Sequence, residues 1–116
     1  MRVEFGASRF VILTDNYAFK FPRLDRRNEY GWLQNVMRSL CANIVEWVLW
    51  DRTRADTLGP IVFHIPCGLL NVMPRAIRAT EADLNLIDFE NLTVGAERKA
   101  DSWGWLNGRL VAIDYD

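Results

Sequence analysis

The stretch Ser102-Trp103-Gly104-Trp105-Leu106-Asn107-Gly108-Arg109-Leu110-Val111-Ala112-Ile113-Asp114-Tyr115-Asp116 decides how the chain is read. Asn107-Gly108 lies between two runs rich in aromatic and β-branched residues. A type I′ turn needs positive φ at both central positions, and Asn-Gly tolerates it, so these residues predict a β-hairpin. The second run, Arg109 to Tyr115, is apolar except at its ends and is expected to form a strand covered on both faces. It delivers a carboxylate, Asp114, at its tip, a position from which strands commonly serve a site.

Upstream of the hairpin, Thr93 to Asp101 is polar and reads as a loop. Thr80-Glu81-Ala82-Asp83 has the capping-box arrangement and predicts a short helix through about Asp88. Two apolar runs, Ile61 to Ile65 and Leu69 to Met73, flank Pro66-Cys67-Gly68 and read as paired strands that Pro74 ends. Before them, Leu33, Met37, Cys41, Val45 and Leu49 recur every four residues, flanked by Trp32, Val36, Leu40, Ile44 and Val48. That spacing predicts an amphipathic helix of about six turns, capped near Asn28 and closed by the polar Asp51 to Thr57.

The chain starts with strands over residues 2–5, 9–14 and 17–21, the last two joined by a tight turn at Asp15-Asn16. On the third, Tyr17, Phe19 and Phe21 share one face while Ala18 and Lys20 share the other. The fold class is therefore α+β in one domain, 1–116. It has an about five-stranded, mostly antiparallel sheet, one long helix crossing it, a short second helix and a C-terminal β-hairpin.

Half of the 116 residues are apolar and a quarter charged, a globular composition without the signature of disorder. The formal net charge of −1 argues against nucleic acid as a direct ligand, which needs an excess of Lys and Arg. Residues 1–79 carry eleven Lys/Arg against seven Asp/Glu, and residues 80–116 carry three against eight. Folding either exposes that asymmetry to a partner of mixed charge or cancels it internally. Cys41 and Cys67 have no metal-ligand spacing and read as buried free thiols. No apolar leader opens the sequence, and the uncharged run Leu58 to Pro74 holds three prolines and two glycines, so neither export nor a membrane helix is expected. The expected location is the cytoplasm, that of the host cell if the protein is phage-encoded.

In order and motifs the chain resembles the protein-kinase-like fold, as a minimal, degenerate relative of its N-terminal lobe. Tyr17-Ala18-Phe19-Lys20 is similar to the third-strand lysine motif, and Glu29 to the helix glutamate that pairs with that lysine. Ile113-Asp114-Tyr115 is similar to the strand-end aspartate that holds metal, with Asp101-Ser102 where the family's catalytic loop ends. Departures are plain. A single glycine, Gly6, stands where kinases carry a glycine-rich phosphate loop, and no His-Arg-Asp precedes Ser102. Only Tyr115-Asp116 follow Asp114, so the activation segment and helical lobe are expected to be missing. The resemblance then implies a vestigial nucleotide and metal site at Lys20, Glu29 and Asp114, with no catalytic residue, no metal and no cofactor.

Arg23, Arg26 and Arg27 cluster before the long helix and suit an acidic partner or phosphate, or a solvated charge run. Trp47 and Trp50 are read either as an exposed aromatic contact patch or as core. His64 has no neighbouring ligand type and reads as a core or edge histidine. The leading expectation is a non-catalytic protein-binding inhibitor that blocks a host protein complex, of the phage anti-defence (anti-CRISPR-like) or host-takeover kind. It would be a monomer or weak dimer. One alternative is a small ATP-dependent phosphotransferase or nucleotide-binding protein; another is a structural or assembly subunit.

Overall fold

The computed structural model describes residues 1–6, 9–23, 31–92 and 96–115. Three strands, β1 (Arg2–Phe5), β2 (Arg9–Leu13) and β3 (Tyr17–Pro22), precede a 22-residue helix, α1 (Trp32–Thr53). Strands β4 (Phe63–Ile65) and β5 (Leu70–Pro74) follow, then a two-residue strand, β6 (Ile77–Arg78). Short 3-10 turns at Ala82–Leu86, Phe89–Asn91 and Ala100–Ser102 lead to the hairpin β7 (Trp103–Leu106) and β8 (Arg109–Ala112).

The first five strands form one fully antiparallel sheet in the order β1-β2-β3-β5-β4, and β6-β7-β8 form a second. The class is α+β, as the residue patterns predict. At the closing hairpin Asn107 has φ 52° and Gly108 φ 77°, the pair of positive angles a type I′ turn requires. The capping box also forms: Thr80 N–H donates to Asp83 Oδ2 at 2.9 Å, and Asp83 N–H to Thr80 Oγ1 at 3.4 Å. The Thr80 N–H donating to the Asp83 carboxylate, with the Trp105 indole donating to the same group at 3.0 Å, holds Asp83 below the usual carboxylate range.

Several expectations change. Strand β8 stops at Ala112; beyond it the backbone N–H groups of Ile113 and Asp114 both donate to the Ser102 carbonyl, at 2.9 and 3.4 Å. The short second helix is a 3-10 turn. Both cysteines are exposed rather than buried. The expected cap, Asn28, lies outside the described residues; the residue at the N-cap of α1 is Gly31, at φ 84°.

The largest change concerns the sides of α1. Its buried residues are Asn35, Ser39, Ala42, Asn43 and Glu46, and the apolar line of Leu33, Met37 and Cys41 faces outward. The reason lies in the sheet. Paired registers put Arg9, Lys20, His64 and Asn71 on the face that meets the helix. A polar sheet face calls for a polar helix face, since buried polar groups must find partners. Gly68, at φ 76°, lets the β4–β5 turn abut the helix: a Cβ there would sit 2.2 Å from the Leu40 carbonyl oxygen.

The opposite sheet face is apolar throughout. Cross-strand register lines up Val3, Ile12, Phe19, Val72 and Phe63 in one row, and Phe5, Phe10, Phe21, Leu70 and Ile65 in the next. The conventional core sits elsewhere, around the second sheet. Leu58, Ile61, Met73, Ala79, Leu84, Trp103, Ala112 and Tyr115 pack there, with Trp47 and Trp50 against them. The segment 57–59 straps β8 to this core through Ala112 N–H to Thr57 O and Gly59 N–H to Ala112 O, both 2.7 Å.

Candidate functional site

At the centre of the seam between α1 and the first sheet stands Glu46, whose side chain has no solvent exposure. An isolated carboxylate in that setting is strongly unfavourable, so its partners decide whether it can ionise. It has five contacts from three neighbours. Arg9 meets it as a fork, Nη1 at 2.7 Å from Oε1 and Nη2 at 2.9 Å from Oε2. Lys20 Nζ donates to both oxygens at 3.1 and 3.2 Å. The Tyr115 backbone N–H donates to Oε2 at 3.1 Å.

The cations are shared onward. Arg9 also binds Asp114 Oδ1, and donates to Asn43 Oδ1 at 3.1 Å. Lys20 donates to the Ile113 carbonyl. Asn43 Nδ2 bonds the Lys20 and Gly68 carbonyls, each at 3.0 Å, and Asn71 Nδ2 bonds the Asn43 carbonyl at 2.9 Å. Two cations and two carboxylates close a neutral cluster. Among the described residues no buried side-chain nitrogen or oxygen is left without a partner. Burial pulls the Lys20 ammonium below the usual lysine range, and the Glu46 charge beside it opposes that shift.

One side of the cluster opens on a cleft of about 1170 Å³ between the two sheets, lined by Lys20, Asp114, Glu4, Arg78, Lys99 and Ser102 among others. Three of its lining cations, Arg2, Arg78 and Lys99, meet carboxylates, and Arg75 donates to the Thr14 carbonyl at 3.0 Å. Arg2 pairs with Glu4, which is thereby held below the usual carboxylate range. Arg78 meets Glu4 at 2.9 Å and Asp101 at 3.9 Å, and Lys99 meets Glu97 at 3.0 Å. The Asp114 side chain, 45% exposed, borders the cleft while engaging Arg9. Among the described residues no three His, Cys, Asp or Glu side chains gather as a metal-ligand set.

Chemically, this is a clamp. The Glu46 carboxylate is saturated by donors, and Arg9 stands between it and Asp114, where a nucleotide-bound cation would have to approach both.

The placement of the residues singled out by sequence is mixed. Lys20 and Asp114 come together on the cluster. Glu29, Arg26 and Arg27 lie outside the described residues; the carboxylate found on Lys20 is Glu46. Arg23 lies at the end of β3, its guanidinium 5.0 Å from the Phe5 ring centre and donating to the Gly6 carbonyl at 2.9 Å. Trp47 stacks on His64 with ring centres 3.6 Å apart, and Trp50 lies under Arg54; both are half-buried. Arg9 and Glu46 are the members that sequence reading missed. The available signal was the polar line Asn35, Ser39, Asn43, Glu46, spaced four, four and three residues apart on one helix.

The charge asymmetry between the two parts of the sequence is partly cancelled internally: Arg9–Asp114 and Arg78–Asp101 each join a cation of the first part to a carboxylate of the second. No described helix is long and apolar enough to cross a membrane. No family model, no curated protein and no solved structure matches this chain.

Proposed function

We propose that this chain is a non-catalytic protein-binding inhibitor on a degenerate kinase-like scaffold. It would block a host protein complex in the cytoplasm, as a phage anti-defence (anti-CRISPR-like) or host-takeover protein does. The observation that carries the reading is the outer face of the first sheet. Ten apolar side chains line two rows across five strands: Val3, Phe5, Phe63 and Ile65 on the edge strands are exposed, Phe10, Ile12, Phe19 and Phe21 are half-buried, and Leu70 and Val72 are buried. Contiguous apolar surface of this extent marks an interaction site more often than chance, and aromatic residues dominate binding hot spots. Arg23, seated over Phe5, adds a cation at one corner. The saturated Glu46 cluster supports the non-catalytic part, because phosphoryl transfer needs charges free to meet nucleotide and metal.

The test is capture from a bacterial lysate with the full chain as bait, repeated with Phe5→Ser/Phe63→Ser. A partner recovered at stoichiometric yield and lost with the double variant, while its circular dichroism is unchanged, supports the reading. Undiminished capture by the variant removes the face from consideration. Expression in cells with active CRISPR interference tests the anti-defence component: targeted phage should form plaques, and unchanged interference would refute it. A second reading, nucleotide binding, draws on Lys20 and Asp114 at the cleft; a rise in Tm with Mg-ATP would favour it over the first.

A further inference from the structure

Strand β1 is an open edge. It pairs with β2 on one side, and among the described residues no strand lies on its other side. The Gly6 N–H donates to the Arg9 carbonyl at 2.8 Å, which makes Gly6 and Arg9 a hydrogen-bonded pair. Bonded and non-bonded pairs alternate along an antiparallel ladder. Arg2 and Glu4 are therefore the positions that bond β2, while the N–H and C=O groups of Val3 and Phe5 point outward from the edge. The side chains there are open too, Val3 at 46% exposure and Phe5 at 62%. The far edge of the sheet is guarded, because β4 is three residues long and closed by Pro66.

We infer that β1 pairs with β1 of a second copy of this chain, antiparallel, about a two-fold axis at Val3. Outward-pointing positions must face one another to bond, so the axis passes through a residue rather than between two. An axis at Arg2 or at Glu4 sets that charge directly against its own copy, which is destabilising. An axis at Phe5 leaves both charges without an opposite number. At Val3 the signs match. Arg2 then lies opposite the partner's Glu4, and Glu4 opposite the partner's Arg2, in the non-bonded pairs where side chains come closest. Val3 exchanges two backbone bonds with the partner's Val3, and the Phe5 N–H reaches the carbonyl of the partner's Met1. One patch complements itself, as an isologous contact requires, and this self-match names a second copy as the occupant.

The axis stands perpendicular to the sheet. The pair is thus a ten-stranded sheet with both apolar faces on the same side and the two Val3 side chains adjacent at its centre. Arg2 and Glu4 lie on the other side, beside the clefts. Within one copy they already pair with each other, and Arg78 meets Glu4 at 2.9 Å. Dimerisation extends that row into a ladder of alternating sign. A strand of four residues makes a small contact, so the dimer is weak and depends on concentration. It uses the margin of the sheet, and so holds or fails independently of what the apolar face binds.

Sedimentation of the full chain from about 5 to 500 μM should show the wild type passing from monomer to dimer. Arg2→Glu and Glu4→Arg each create two like-charge pairs across the axis and should each weaken association about tenfold. Mixed in equal amounts, they set two carboxylates of one copy against two guanidinium groups of the other, and should form a heterodimer as tight as the wild type. Neither chain in that mixture regains its own pair between residues 2 and 4, so the rescue acts only between chains. Val3→Pro removes an N–H that β2 does not use and should abolish association with circular dichroism unchanged. Because both native cysteines are exposed, linkage is read in a Cys41→Ser/Cys67→Ser background. There, mild oxidation of Val3→Cys should give an intermolecular disulfide, the two Cα atoms lying about 5.5 Å apart. Phe5→Cys should not link, since this register holds its two copies about 14 Å apart. A wild type monomeric across the whole range, a mixture no tighter than its components, a Val3→Pro variant that still dimerises, or linkage of Phe5→Cys as ready as that of Val3→Cys would each overturn the proposal.

Discussion

The two halves of this molecule solve the problem of an interior in opposite ways. Around the second sheet, Leu58, Trp103, Ala112 and Tyr115 make an ordinary apolar core. Between α1 and the first sheet, Arg9, Lys20, Asn43, Glu46 and Asn71 make a polar one, while Ile12, Phe19 and Val72 on the sheet and Leu33 and Met37 on the helix point away from it. The difference teaches where stability and where geometry reside. An apolar core stabilises in proportion to area and tolerates repacking. A hydrogen-bonded charge seam adds little net stability, yet fixes one register of helix on sheet, because a shift would strand a buried charge.

The sharpest way to break the comparison is to remove the hub of the seam. Glu46→Ala leaves Arg9 and Lys20 buried without their carboxylate and should destabilise by about 3–5 kcal/mol, read as a lower urea midpoint. A loss under about 1 kcal/mol would mean the seam is wet and loosely held. Leu58→Ala probes the other half. Cavity formation in a packed core predicts a loss of about 3 kcal/mol with the α1 register intact.

A smaller effect, of opposite sign, sharpens the distinction. Replacing the hub as a unit, Arg9→Met/Lys20→Met/Glu46→Leu, should leave stability unchanged or raise it by about 1–2 kcal/mol, because no charge then remains to desolvate. Looser amide-exchange protection along α1 in that variant would assign the seam to specificity, and unchanged protection would deny it that role.

The mildest case is Tyr115→Phe. The phenol donates to the Gly59 carbonyl at 2.9 Å, and its loss should cost about 1 kcal/mol at neutral pH. Burial, with the Glu46 charge next in weight, drives the Tyr115 hydroxyl far above the usual tyrosine range. A folded pKa raised above the unfolded one contributes stability that is complete below about pH 10 and is lost as pH climbs beyond it. Thermal melts of the wild type should therefore fall off above about pH 10, and those of Tyr115→Phe should fall off less steeply.

How much of this could be read beforehand divides along the same line. Local chemistry was legible: Asn107-Gly108 demanded its turn, Thr80 and Asp83 their reciprocal bonds, and the three-strand, helix, two-strand order came from periodicity. The destination of each face was not. A helical repeat reports that a helix has two sides and is silent on which side meets the sheet. Here Leu33, Met37 and Cys41 suggested the inward side, whereas Arg9 and Lys20 on paired strands required Asn43 and Glu46 there. That pairing spans long stretches of sequence and emerges only when β2, β3 and α1 are placed together. The same limit left Glu46 overlooked in favour of Glu29, since nothing local distinguishes a carboxylate that will be fully buried.

One consequence concerns synthesis. The ion pair between Arg9 and Asp114 closes a span of 105 residues, and Glu46 receives its last donor from the Tyr115 backbone, 69 positions onward. While the ribosome still holds that tail, the emerging polypeptide exhibits two cations and a carboxylate with an incomplete set of mates. Helix and sheet can therefore touch early but can lock only once residues 113–115 have folded back onto them, which makes closure of the seam a late, long-range step in folding.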